Sequence, residues 1–246
     1  MSENNDKPVV SIITVCYNSE KYIGDTIESV LNQTYDNIEY IIVDGDSTDN
    51  TLDIIKEYEP QFNCKLKWIS EPDESVYDAM NKGVDMASGD WVYFLGSDDI
   101  LKSGVFNNIF TAPIKDADIL YGNVFLYKKD NNEYMNVSYP KKNVNKLSLL
   151  LGTGICHQGM ISRRRLFTKK FNTEYKICAD TDWLLFQYFK RKSVFQYKDI
   201  VFSYYNVQGL SSNNNELKKE YFNILKKYYP FIFVFFKKII EKIKEM

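Results

Sequence analysis

Four short apolar runs divide the first hundred residues, with amphipathic stretches between them. Residues 9–15 (VVSIITV), 38–43 (IEYIIV), 66–69 (LKWI) and 91–95 (WVYFL) are rich in β-branched and aromatic side chains. Between them, Ile23, Thr26, Ile27, Val30 and Leu31 recur at helical spacing, as do Tyr77, Met80, Val84 and Ala87. Residues 51–58 read as a short helix. A continuous apolar run suits a strand buried on both faces, and a helix between two such strands supplies the crossover. The chain is therefore expected to be α/β, with a mostly parallel sheet and flanking helices.

The second half is less regular. Residues 119–127 and 133–138 are expected to be strands joined by a turn at Asp130-Asn131-Asn132. Residues 157–162, 194–197 and 201–206 read as further strands, and residues 181–191 as a helix. Residues 216–245 are largely helical in pattern, broken at Pro230. A chain of 246 residues with no long Gly/Ser/Pro linker is read as one domain, 1–212, with a C-terminal helical extension, 213–246.

A net charge of −2 gives no electrostatic reason to expect nucleic acid as a partner. The four cysteines form no CxxC pair and there is one histidine, so a zinc cage is not expected and the thiols suit a reducing compartment. The polar N-terminus and the absence of a membrane-length apolar run point to a cytoplasmic protein. In the tail, Ile232, Phe235, Phe236, Ile239, Ile240 and Ile243 gather on one helical side, with lysines on much of the rest. That pattern fits a peripheral membrane contact and equally a helix docked on protein.

Open parallel sheets bind ligands beyond the C-terminal ends of their strands. Asp44 closes the second expected strand, and Asp98-Asp99 follow the fourth after Gly96-Ser97. Neighbouring carboxylates repel, and a hard cation such as Mg²⁺ or Mn²⁺, shared with a diphosphate, relieves that repulsion. A helix cap is the alternative use for Asp98-Asp99. There is no GxGxxG after the first strand and no GxxxxGK[ST] anywhere, which weighs against dehydrogenase and P-loop chemistry.

The stretch SIITVCYNSEKYIGDTIESVLNQTYDNIEYIIVDGDSTDNT is followed in order by EPDESVYDAMNKG, FLGSDD, CHQGMISRRRLF and ICADTDW. This series resembles family 2 glycosyltransferases of the GT-A fold, a Rossmann-like sheet. The resemblance implies an inverting transfer from a nucleotide-sugar, in particular a UDP-sugar, to a hydroxyl of a saccharide or lipid-linked saccharide. It implies donor-binding roles for Thr14, Asp44, Asp73, Asp78, Asn81 and Asp98, with Asp44 on the uracil ring. It also implies a divalent metal on Asp99, a catalytic base at Asp180, and acceptor-side positions at His157 and Gln158. Asp182 is near enough in sequence to compete as base. Gly209-Leu210-Ser211 matches a late loop of the family. Departures are Gly45 in place of a second acid, Ser75 in place of a glycine, and Ala179 before Asp180 in place of glutamate. Arg163-Arg164-Arg165 reads as a solvated charge run or a phosphate clamp. A sugar-phosphate nucleotidyltransferase and a non-catalytic nucleotide-sugar-binding or assembly subunit are the alternatives. The first would want a glycine-rich basic loop in place of Cys16-Tyr17-Asn18-Ser19, and the second would be expected to lack the acids.

Overall fold

The computed structural model describes residues 7–111, 114, 116–128, 133–138, 140, 142–151, 155–208, 214–229 and 235. The expected turn at 130–132, the 209–211 loop and the tail beyond Tyr229, apart from Phe235, lie outside these residues. The first half alternates β1 (Val10–Cys16), α1 (Ile23–Leu31), β2 (Ile38–Asp44), α2 (Thr51–Tyr58), β3 (Leu66–Ser70), α3 (Val76–Met86) and β4 (Trp91–Phe94). Strands β3, β2, β1 and β4 lie side by side and parallel. Side chains alternate across this sheet as strand geometry requires. Ile13, Ile41 and Val43 face α3, while Ile12, Tyr40 and Ile42 face α1 and α2. Gly83 lets α3 lie close, since a Cβ there would sit 2.5 Å from Ile13 Cγ2.

The chain then adds β5 (Ile100–Leu101), α4 (Val105–Ile109), β6 (Ile119–Lys128), β7 (Glu133–Ser138), α5 (Lys146–Leu151), β8 (Met160–Arg163), α6 (Ala179–Phe186), β9 (Phe195–Asn206) and α7 (Asn214–Tyr228). The sheet runs β3-β2-β1-β4-β8-β6-β9-β5, with β7 on β6. Strand β8 is antiparallel to both β4 and β6, so direction reverses at the β4–β8 seam.

Several expectations change here. The two late strands are one strand, β9. Irregular register against β6 near Gly122 carries Lys198 and Asp199 through without ending the pairing. Gly122 is needed there, because a Cβ would meet the carbonyls of Lys198 and Ile200 at 2.6 and 2.7 Å. Residues 157–159 form a tight 3₁₀ turn before β8 begins. Helix α6 starts two residues early and ends in a π turn, Gln187–Arg191, closed by left-handed Lys192. Within the C-terminal extension, Ile224 and Leu225 of α7 are 0% and 1% exposed, packed in the core beside α6.

At the edge opposite the strand C-termini, Glu39 of β2 ties the α3–β4 turn to β1. Its carboxylate accepts the hydroxyls of Ser11 (2.5 Å) and Ser88 (2.8 Å) and the amides of Ser88 (2.5 Å) and Gly89 (2.8 Å). Burial pushes this carboxyl up, but the Ser11 hydroxyl and the Ser88 and Gly89 donors outweigh it and hold the group at about 2. The folded value lies below the ordinary 4.5, so the stabilisation is full above that pH and fades as pH falls through about 2. Glu39→Gln is expected to cost about 2 kcal/mol at neutral pH. In urea denaturation, its gap from the parent protein should close as pH falls towards 2.

Candidate active site

The rim at the C-terminal ends of β1 to β4 is stitched together by short polar side chains. Asn18 takes the left-handed conformation (φ 47°), and its Oδ1 accepts the Thr48 amide at 2.9 Å. The Asn18 amide donates to Ser47 Oγ at 2.8 Å, while Asp49 accepts the amides of Glu20 and Thr51 at 3.0 Å each. These bonds lock the β1–α1 loop onto the β2–α2 loop. The Tyr17 ring on this rim is 64% exposed and lies beside Gly45.

Asp44 is fully buried. Its Oδ2 accepts the Ser47 amide (2.9 Å) and the Ser70 hydroxyl (2.7 Å), and its Oδ1 accepts the Ser47 hydroxyl (2.5 Å) and the Cys16 thiol (3.5 Å). Burial, then the Asp44 charge, pushes the Cys16 thiol far up. These bonds tie β1, the β2–α2 loop and β3 together around Asp44. Thr14 is fully buried and accepts from Tyr40 Oη at 3.1 Å. Asp73 lies on the same rim, beside Gly45. A Cβ on Gly45 would lie 3.1 Å from Asp73 Oδ2, so the missing side chain makes room for this carboxylate. Its Oδ1 accepts from Lys82 Nζ at 2.7 Å.

Two more expected donor residues have structural partners. Ser75 caps α3 by accepting the Asp78 amide (3.2 Å), and Asp78 Oδ2 accepts the Glu74 amide (3.3 Å) and pairs with Lys82 (3.5 Å). The cap explains why serine suits position 75. Asn81 uses both ends of its amide on the backbone of Phe171, at 3.0 and 2.9 Å, and so straps α3 to a segment 90 residues away.

Asp98 and Asp99 lie where the chain leaves β4 and crosses to β5 at the far side of the sheet. Asn206, at the end of β9, orients both. Its amide N–H donates to Asp99 Oδ1 (2.7 Å) and its side chain to Asp98 Oδ2 (2.9 Å). Thr26 of α1 places Oγ1 2.9 and 2.8 Å from the carbonyls of Ser97 and Asp99. Gly96 leaves room for both acids, since a Cβ there would sit 2.5 Å from Asp99 Oδ2 and 3.3 Å from Asp98 Oδ1. Among the described residues no group of three or more His, Cys, Asp or Glu could hold a metal. Two carboxylates with oxygens converging over one glycine nevertheless fit Mg²⁺ or Mn²⁺, which take one or two carboxylates plus substrate phosphates.

Because β8 is antiparallel to β4, the residues before β8 reach the same rim as the residues after β4. His157 and Gln158 therefore come near the acids. His157 packs between Phe94 and Phe171, at 4.8 and 5.9 Å between ring centroids, and its buried Nε2 has no partner. Burial lowers its pKa, against the pull of Asp180. The carbonyl of Gln158 accepts Tyr93 Oη (2.7 Å) and Ser203 Oγ (3.0 Å), and its side chain accepts the Cys156 thiol (3.0 Å). That thiol is pushed up to about 12, mainly by burial and further by the charges of Asp99 and Asp180.

Asp180 opens α6. Its Oδ1 accepts the Thr181 amide at 2.7 Å and lies 3.3 Å from Tyr77 Oη, whose proton is directed to the Ile177 carbonyl at 2.5 Å. Oδ2 accepts no hydrogen bond among the described residues. Asp182 differs, with a side chain 2% exposed and held by Lys227 Nζ at 2.8 and 3.0 Å and by Tyr228 Oη at 3.0 Å. Of the two acids, Asp180 is the one with a carboxylate oxygen that accepts no hydrogen bond among the described residues. The arginine triplet serves the frame. Arg163 lies over the Trp91 ring at 4.2 Å, Arg164 donates to the Gly89 carbonyl at 2.8 Å, and Arg165 pairs with Asp118.

Sequence reasoning passed over Tyr17 and Asn206, and took Tyr77 only as part of a run lining the donor pocket. An exposed aromatic directly after a strand was the available signal for Tyr17. The roles of Tyr77 and Asn206 depend on contacts 103 and 107 residues away, which no local pattern displays.

The family model "Glycosyl transferase family 2" matches residues 11–171. A PGL/p-HBAD biosynthesis glycosyltransferase of Mycobacterium tuberculosis is 33% identical over 211 residues, covering 84% of this chain and 80% of that protein. S. aureus TarS 1-349 in complex with UDP-GlcNAc superposes with a TM-score of 0.69 at 20% identity, covering 89% of this chain and 65% of that one. The mannosyltransferase PcManGT from Pyrobaculum calidifontis, in complex with GDP-Man and Mn²⁺, gives 0.67 at 16%, covering 90% and 64%. The chain therefore spans just under two thirds of these solved structures and shares their GT-A fold. With a family match over most of its length and a named transferase similar over four fifths of that enzyme, the chain belongs to glycosyl transferase family 2 and is a glycosyltransferase.

Proposed function

We propose that this enzyme moves a sugar from a UDP-sugar to an acceptor hydroxyl, with inversion at the anomeric carbon and Asp180 as the base. The observation that carries the reading is the contrast at the start of α6, where Asp182 is sealed by Lys227 and Tyr228 while Asp180 keeps one oxygen without a hydrogen bond among the described residues.

The donor lies across the rim. Tyr17 stacks on the base, and Asp73 Oδ2, admitted by Gly45, accepts a ring N–H of the kind uracil presents. Asp99 and Asp98, held by Asn206, would bind a divalent cation, which supplies neutralising charge for the diphosphate when present. The acceptor oxygen attacks the anomeric carbon from the face opposite the leaving group. The bond from that carbon to the diphosphate oxygen breaks, and the hydroxyl proton passes to Asp180. His157, kept neutral by burial, lines the acceptor side with Gln158. One nucleophile and one displacement invert the centre. A saccharide or lipid-linked acceptor suits the biosynthetic names of the relatives. No helix among the described residues is long and apolar enough to cross a membrane.

The test is a panel of UDP- and GDP-sugars offered with alkyl glycosides and Mn²⁺, read as release of nucleoside diphosphate and as product anomer by NMR. Release that depends on metal, with an inverted product, is expected. Asp99→Asn keeps the shape and the acceptor for the Asn206 amide but loses the charge. It is expected to lower the rate about 100-fold or more. A retained anomeric configuration, or full activity in Asp99→Asn, would overturn the reading.

A further inference from the structure

We propose that Glu220 of α7 is a positioning residue for Asp180, and that α7 acts as a clamp on the loop that carries the base. The inference rests on Asp180 as base and adds the device that holds it in place.

The Glu220 carboxylate accepts three successive amides, those of Lys176 (2.7 Å), Ile177 (3.0 Å) and Cys178 (3.0 Å). These are the residues directly before α6, whose N-terminal amides lack intrahelical acceptors. No side chain of the loop itself caps α6. A carboxylate brought from another helix thus takes the N-cap amide of Cys178 and the two amides before it, and charge-assisted bonds of this kind are the stronger class. Helix α7 reaches the same segment again seven residues on, two turns along one face. There Lys227 and Tyr228 hold Asp182. Leu217, a turn before Glu220, offers its carbonyl to the Cys178 thiol at 3.8 Å. From the opposite side, Tyr77 of α3 donates to the Ile177 carbonyl. Residues 176–182 are thus gripped along their length, and Asp180 sits inside the grip with one oxygen open.

Base position matters because a misplacement of about 1 Å can cost about 100-fold in rate. Glu220→Gln keeps the size but offers one acceptor oxygen and turns an NH₂ towards amides that are themselves donors. The loop must then shift or leave an amide unpaired.

The experiment is a double-mutant cycle of Glu220→Gln and Asp180→Asn in the full chain, using the nucleotide-sugar of the panel that turns over fastest. Glu220→Gln alone is expected to lower kcat about 10- to 100-fold with the Kd for that nucleotide-sugar unchanged. In the Asp180→Asn background, Glu220→Gln is expected to have no further effect, since a base that is absent cannot be misplaced. Glu220→Asp keeps the charge one methylene further back and should fall between. If Glu220→Gln does not fold, Glu220→Asp carries the same cycle. Unchanged kcat in the single variant overturns the clamp. So does an equal loss in both backgrounds, or a parallel loss of nucleotide-sugar affinity, either of which would mark plain structural damage. Full activity of Asp180→Asn by itself would instead overturn the choice of base, so the two failures remain distinct.

Discussion

Asp180→Asn is expected to reduce glycosyl transfer by about 1,000-fold and to leave nucleotide-sugar affinity intact. Asparagine keeps the volume and still accepts the Thr181 amide through Oδ1, so the start of α6 should not move. What it loses is an oxygen able to take a proton at neutral pH. Nearby acids are poorly placed to substitute. Asp182 is locked to Lys227 and Tyr228, and Asp99 Oδ1 is held by the Asn206 amide. Initial rates with the turned-over donor, beside calorimetric titration of the same nucleotide-sugar, measure the two quantities separately. A variant that transferred sugar at the parent rate would remove Asp180 from the mechanism. A variant that lost donor affinity in step with rate would make it a binding residue.

Asp44→Ala is expected to act on the fold before it acts on catalysis. The substitution strands the Ser47 amide and hydroxyl, the Ser70 hydroxyl and the Cys16 thiol in a fully buried place. Each stranded buried donor costs about 1–3 kcal/mol, and relaxation recovers only part of that. A loss of about 4 kcal/mol is the expected total, seen as a fall in Tm of about 8–16 °C without any ligand. The β2–α2 loop loses its anchor as well, so nucleotide affinity should weaken as a secondary effect. Asp73→Asn should show the reverse balance, a small change in ligand-free stability and a clear loss of nucleotide affinity. Thermal denaturation of both variants with and without UDP distinguishes the roles. If Asp44→Ala melted like the parent and bound UDP poorly, Asp44 would be the base contact after all.

The parallel half of the sheet was legible because its strands are short apolar runs separated by amphipathic helices, although β4 returns to pair with β1 and not with β3. The other half was not. Strand β9 carries a Lys-Asp pair in its middle, tolerated only because Gly122 on β6 lets the two backbones approach. Strand β5 has two residues and α4 has five, too few for any period to register. At the site, the place of Asp98-Asp99 after β4 was readable from the end of an apolar run, whereas Asp180 was singled out by the resemblance and not by its position at a helix start. Asp44, Asn81 and Thr14, assigned to ligand by resemblance, also have partners within the protein, on Ser47 and Ser70, on Phe171 and on Tyr40, which no local pattern announced. A motif records which residue stands at a position; it does not record how many donors have already converged on it. The reach of Glu220 to the amides before α6 spans more than 40 residues and leaves no local trace.

The grip of α7 on residues 176–182 also imposes an order on biogenesis. Strands β1 to β4 and their crossover helices are complete while much of the chain is still inside the ribosome, and N-terminal units generally fold first during synthesis. Asp98 and Asp99 wait for Asn206 of β9 to orient them. Asp180 acquires its fixed position later still, after Tyr228 has cleared the exit tunnel. A half-made chain would have neither acid pair nor Asp180 in its final place.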